Sequence, residues 1–149
     1  MKTAPEKRET RPRLTVGINT CITATRWPDP EAKFRLVRDL GVTTIQYSLD
    51  AFDPGLPATY RTRLAARIRR AADRTGLTIH STFTGAGHHY DNLLFHPDAA
   101  WRRNAQRWFT EALHFTAAIG GRGSGGFLGA LCVEDAASPA AFVKRRNDA

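Results

Sequence analysis

Residues 42–50 read VTTIQYSLD. Side chains of a β-strand point alternately to its two faces. One face of this run is Ile45, Tyr47 and Leu49, and the other is Thr44, Gln46, Ser48 and Asp50. One side is apolar and the other entirely hydrophilic. Two further runs repeat the division. In LTVGINTC (14–21), Val16 and Ile18 oppose Gly17, Asn19 and Cys21. In LTIHSTFT (77–84), Ile79 and Phe83 oppose His80, Thr82 and Thr84.

Helical patterns separate these strands. PEAKFRLVRDLG (30–41) has Asp29 as its cap, Pro30 at its first position and Gly41 at its end. TYRTRLAARIRRAADRTG (59–76) repeats Tyr60, Leu64, Ile68 and Ala71 or Ala72 at helical spacing and stops at Gly76. Its arginines read as a solvated basic face. PDAAWRRNAQRWFTEALHFTAAIGG (97–121) carries a buried stripe of Trp101, Ala105, Trp108 or Phe109, Ala112, Phe115 or Thr116, and Ile119. GFLGALCVED (126–135) reads as a weaker fourth strand, and SPAAFVKRRNDA (138–149) as the start of another helix.

Alternating strands and helices imply parallel βαβ units. An open doubly wound sheet is covered on both faces, so both faces of its strands should be apolar. Here one face is polar, increasingly so toward the C-terminal ends of the strands. A closed barrel accommodates this, with helices outside and polar groups at its mouth. GINTCITATRW is not a GxGxxG phosphate fingerprint, and RGSGGFLG (122–129) reads as a turn with close backbone approach. The expected fold is α/β: a partial (β/α)8 TIM barrel of about three and a half βα units with parallel strands. Residues 1–13 form a disordered basic leader, 14–138 the N-terminal half of the barrel, and 139–149 a divergent C-terminal tail.

The 149 residues carry a net charge of +8. Residues 1–13 hold five basic side chains against two acidic ones, and 144–149 hold three against one. Most of the excess therefore lies at the two ends, which argues against a nucleic-acid surface. There is no membrane-spanning apolar run and no secretory leader. Cys21 and Cys132 lack metal-ligand spacing and read as reduced, partly buried thiols of a cytoplasmic protein.

GINTC, RWPDPE, HSTFTG, YDNLLFHPD and GGFLGALCVED occur in this order. Together they resemble the xylose-isomerase-like (β/α)-barrel superfamily over about residues 14–138. Within it, the likeness is to sugar-phosphate isomerases and epimerases of tetrulose-phosphate type. The resemblance implies a divalent metal (Mn, Mg or Co) in the full-length family, acting on a phosphorylated ketose. The metal polarises the carbonyl, a carboxylate removes the neighbouring proton, and an enediolate forms. The resemblance places the ligands at strands five to eight, which a barrel of about 250 residues supplies and this sequence does not. The expectation is a truncated chain, inactive alone and without a metal site or catalytic residue of its own, that dimerises or recruits a second half-barrel.

By the same resemblance Asn19, Trp27, Gln46, His80, Tyr90 and Asn92 are candidate substrate contacts. Three of them have a plainer reading: Asn19 turns the chain, Trp27 is core, and His80 is a bonded structural histidine. Asp50 suits a turn. His88, His89, Asp91 and His96 match no common metal spacing, and His96 before Pro97 reads as a helix-entry residue. Glu134 and Asp135 are adjacent, so on a strand they would face opposite ways. A non-catalytic binding module and an abasic-endonuclease-like nucleic-acid enzyme are the alternatives.

Overall fold

The computed structural model describes residues 14–23, 26–50, 52–84, 91–132 and 137–148. The expected leader, His88, His89, Tyr90, Glu134 and Asp135 fall outside them. Strands β1 (Ile18–Asn19), β2 (Thr44–Ser48), β3 (Thr78–Phe83) and β4 (Ser124–Gly125) form one sheet in the order β1-β2-β3-β4. Every neighbouring pair is parallel. Sequential order without a reversal is that of a barrel wall. A doubly wound sheet reverses at its switch point.

Helices α1 (Pro30–Asp39), α2 (Ala58–Thr75) and α3 (Ala99–Ala118) follow the first three strands. Asp29 Oδ2 accepts from the Ala32 N–H at 2.9 Å, and Pro30 occupies the first turn. Gly76 ends α2 in the left-handed region at φ 67°, which costs a residue without a Cβ little. Asp98 caps α3, accepting from Ala100. A further helix, α4 (Pro139–Asn147), is capped by Ser138, so the expected divergent tail is helical.

One apolar core lies between the helices and the sheet. It joins Phe34 and Val37 of α1 and Ile45, Tyr47 and Leu49 of β2's apolar face and exit. Ala65, Ile68 and Ala71 of α2 and Phe115 and Ile119 of α3 complete it. Phe34 meets Tyr47 edge-on at 6.1 Å, and Phe52 stacks on Phe115 at 4.3 Å. The arginines of α2 do more than solvate a face. Arg67 reaches Asp29 at 3.0 Å and Arg74 reaches Glu31 at 2.5 Å, tying α2 to α1. Arg61 reaches Glu111 at 2.8 Å and also donates to the Pro54 and Leu56 carbonyls, tying α2 and its entry loop to α3.

Several expectations need correction. Tyr60 is 42% exposed, because the buried stripe of α2 is rotated toward Ala65. Trp101 is also exposed, stacking on His96 at 5.0 Å instead of entering the core. Strand β1 is two residues long and Val16 is exposed. The fourth strand is Ser124–Gly125, ahead of the expected 126–135. Parallel pairing stops where Gly126 turns back at φ 141° against Thr84, whose hydroxyl a Cβ there would overlap. Cys21 is exposed, not partly buried.

The largest correction concerns β3. Ile45 pairs with Ile79, but Gln46 pairs with Ser81, so His80 is an extra residue in the ladder. Such a bulge shifts the alternation by one. Thr82, expected beside His80, instead faces the helices and is fully buried. Its hydroxyl meets Thr116 of α3 at 2.7 Å and Ser124 of β4 at 2.8 Å.

Two predictions follow from this packing. Thr82→Asp should destabilise the fold by about 3 kcal/mol or more, because it buries an unpaired carboxylate. Ser81→Asp should cost under about 1 kcal/mol, as for an accessible position; urea denaturation compares the two. Burial also pushes the Tyr47 phenol up to about 12. The folded state thus favours the protonated ring. That contribution is complete below about pH 10, the ordinary tyrosine value, and is lost as pH rises through the folded value of about 12. Tyr47→Phe should flatten this alkaline loss of stability, measured as denaturation midpoint against pH.

Candidate functional site

The polar faces of β1, β2 and β3 meet on the side of the sheet away from the helices. Register brings Asn19 beside Gln46 and Gln46 beside Ser81. Asn19 Nδ2 donates to Gln46 Oε1 at 2.7 Å, and Gln46 Nε2 donates to Ser81 Oγ at 3.2 Å. Ser81 Oγ lies 3.2 Å from His80 Nδ1. At the other end, the Cys21 N–H donates to Asn19 Oδ1 at 2.8 Å. A continuous hydrogen-bonded row therefore crosses three strands. Asn19 and Gln46 are half-buried, whereas His80 is exposed.

Three of the expected contacts, Asn19, Gln46 and His80, are thus brought together. Ser81 joins them unexpectedly. Strict alternation puts it on the helix side, and only the bulge turns it inward; nothing in the local sequence marks that extra residue.

The strand ends are fastened from beneath. The chain leaves β1 through a short 3₁₀ turn, Thr20–Thr23. Thr20 is fully buried, and its Oγ1 accepts from the Ser48 N–H at 2.8 Å. Ser48 Oγ donates to Asp50 Oδ2 at 2.7 Å, and the Asp50 N–H returns to Ser48 Oγ at 3.3 Å. Asp50 therefore closes a local turn, as its plainer reading has it. Lys33, only 3% exposed, lies with its ammonium 5.4 Å from the centre of the Tyr47 ring. Burial lowers its pKa, while the Asp50 carboxylate pulls it upward.

The remaining candidates lie elsewhere in the bonding pattern. Trp27 is half-buried on the loop after β1, its N–H bonded to the Thr23 carbonyl. Asn92 Nδ2 donates to the Ala130 carbonyl at 2.7 Å. The Ala130 N–H bonds Asp91 and the Leu94 N–H bonds Leu128, so Asn92 belongs to a clasp holding the segment after β4. His96 Nδ1 accepts from the Asp98 N–H at 3.0 Å, at the entry to α3. Among the described residues, no group of three or more His, Cys, Asp or Glu side chains is placed to hold a metal ion. These residues alone do not fit a divalent metal centre.

No protein-family model matches the chain. It is 29% identical over 130 residues to the D-erythrulose 1-phosphate 3-epimerase of Brucella abortus, covering 85% of this chain and 41% of that enzyme. A Rhodospirillum rubrum structure provisionally described as a xylose isomerase superposes with a TM-score of 0.77 at 31% identity, over 91% of this chain and 46% of that one. A D-psicose 3-epimerase structure shares the fold, with a TM-score of 0.58 at 19% identity, over 89% of this chain and 44% of that one. The chain spans less than half the length of each of these relatives.

The clasp reading of Asn92 is checked by Asn92→Ala. It should cost about 1 kcal/mol, the worth of a net hydrogen bond, and speed amide exchange at Leu94 and Ala130. Exchange at Gln46 and Ser81 should remain unchanged. Consecutive parallel strands with helices on one face, polar groups on the other and these likenesses lead to one conclusion: the chain has the fold of one wall of a (β/α) barrel and is similar to the xylose-isomerase-like epimerases over most of its own length.

Proposed function

We propose that this chain forms the substrate-facing wall of a sugar-phosphate isomerase/epimerase, with a tetrulose phosphate as substrate. The observation that carries the reading is the row Asn19–Gln46–Ser81–His80 on the open side of the sheet. Amides, a hydroxyl and an imidazole offer donors and acceptors in fixed directions, which suits a small polyol. The likeness to an enzyme named for erythrulose 1-phosphate supports the phosphorylated four-carbon ketose.

In this reading Asn19, Gln46 and His80 bind and orient the sugar, and Trp27 stands on the loop after β1; Tyr90, also expected to contact it, lies outside the described residues. Asn92 acts through the clasp. Metal-assisted enolisation would be the work of carboxylates beyond the described residues. The chain would act in the cytoplasm, where sugar phosphates are made and consumed. No described helix is long and apolar enough to cross a membrane.

Strands β1 and β4 each pair on one side only among the described residues. Leu14, Val16, Phe127 and Leu128 are exposed around those two edges. Unpaired strand edges and exposed apolar groups together call for a cover. A second half-barrel would provide it.

Titration of the full 149-residue chain with D-erythrulose 1-phosphate, followed by NMR, tests the reading. Saturable shifts at Asn19, Gln46 and His80 are expected, with affinity falling about tenfold in Gln46→Leu for a loss near 1.4 kcal/mol. The chain with Mn²⁺ but no second half should show no epimerisation. Salt-sensitive binding of abasic-site DNA at these residues, without a response to the sugar phosphate, would replace this reading with the endonuclease alternative.

A further inference from the structure

The row across the inner face has a direction. A backbone N–H can only donate, and that of Cys21 donates to Asn19 Oδ1. This contact settles which end of the Asn19 amide is oxygen, so the end that meets Gln46 is nitrogen. Gln46 must therefore present Oε1 to Asn19 and Nε2 to Ser81. Ser81 Oγ accepts that bond and still holds its own proton. Among the described residues its one remaining contact is His80 Nδ1, 3.2 Å away.

We infer that neutral His80 is held as the Nε2–H tautomer, with Nδ1 accepting from Ser81 and Nε2–H offered on the inner face to an oxygen acceptor. The opposite tautomer would make Ser81 Oγ accept twice and leave its proton to water alone. His80 is then a directed donor, set by a backbone amide four hydrogen bonds away. Ser81, Gln46 and Asn19 are positioning residues. The tautomer stands on the hydrogen bonds alone. Naming the acceptor as a substrate oxygen, whether hydroxyl, carbonyl or phosphate, rests on the function proposed above.

The fixed donor also bears on specificity. A neutral Nε2–H bonds an oxygen lone pair without requiring a charge on it. It offers nothing to a group that is itself only a donor, such as an ammonium. Amino sugars presenting an ammonium at this position would be refused.

The test is ¹⁵N NMR of the histidine ring nitrogens in the full-length chain at about pH 8, where a free imidazole is neutral. The His80 signals are identified by their loss in His80→Gln. The Nε2–H form should be enriched about fivefold relative to exposed His114, the scale of one net hydrogen bond. Gln46→Glu should reverse the row. A carboxylate there accepts the Ser81 proton, Ser81 then accepts from His80, and the proton is found on Nδ1. Ser81→Ala should relax His80 to the ratio of His114 while the backbone amide spectrum is retained, and it decides the matter should Gln46→Glu fail to fold. A proton on Nδ1 in the unmodified chain would overturn the inference. So would a tautomer ratio that neither substitution changes.

Discussion

The extra residue in β3 opposite Gln46 determines what each face of the sheet presents. Without it, His80, Thr82 and Thr84 would share a face, and Ser81 would point into the helices. With it, His80 and Ser81 both stand on the open side, and Thr82 turns toward α3. The bulge leaves one residue out of the ladder. In return, the buried Thr82 hydroxyl finds partners on α3 and β4, so no polar group is stranded in the core. The same local defect thus completes the bonding beneath the sheet and gathers the polar row above it.

The remaining architecture holds that row in place. Helices cover one face only, through a core running from Phe34 and Val37 to Phe115 and Ile119. Ion pairs from α2 to α1 and α3 fix the spacing of the helical layer. The arginines of the two pairs to α1 are more than half exposed, and the Arg61–Glu111 pair to α3 is partly exposed. Exposed pairs contribute little energy singly, so their role here is orientation more than stability. Buried Thr20 and the Ser48–Asp50 turn anchor the ends of β1 and β2. The polar side chains therefore rest on a supported surface, as a binding wall requires.

The fold was largely legible because its signal is periodic. Ile45, Tyr47 and Leu49 against Gln46 and Ser48 set the faces of β2. Asp29, Pro30 and Gly76 marked helix ends by their backbone chemistry. Asn19, Gln46 and His80 were legible as one polar side. Ser81 and Thr82 were not, because a bulge is a register event between strands and leaves no mark in one strand's alternation. The rotation of α2 toward Ala65 was hidden for a similar reason: Tyr60 and Ala65 both satisfy helical spacing, and packing on α1 and α3 chooses between them. Asn92 could not be recognised as a clasp, since its partner Ala130 is remote in sequence and contributes only a carbonyl.

The inside-outside assignment of β3 is tested most directly by thiol accessibility. Single cysteines at positions 81 and 82, in a chain with Cys21→Ser and Cys132→Ser, are exposed to a soluble thiol reagent under native conditions. Ser81→Cys should react readily and Thr82→Cys should stay protected until the protein unfolds. Rapid labelling at 82 with protection at 81 would restore strict alternation and contradict it.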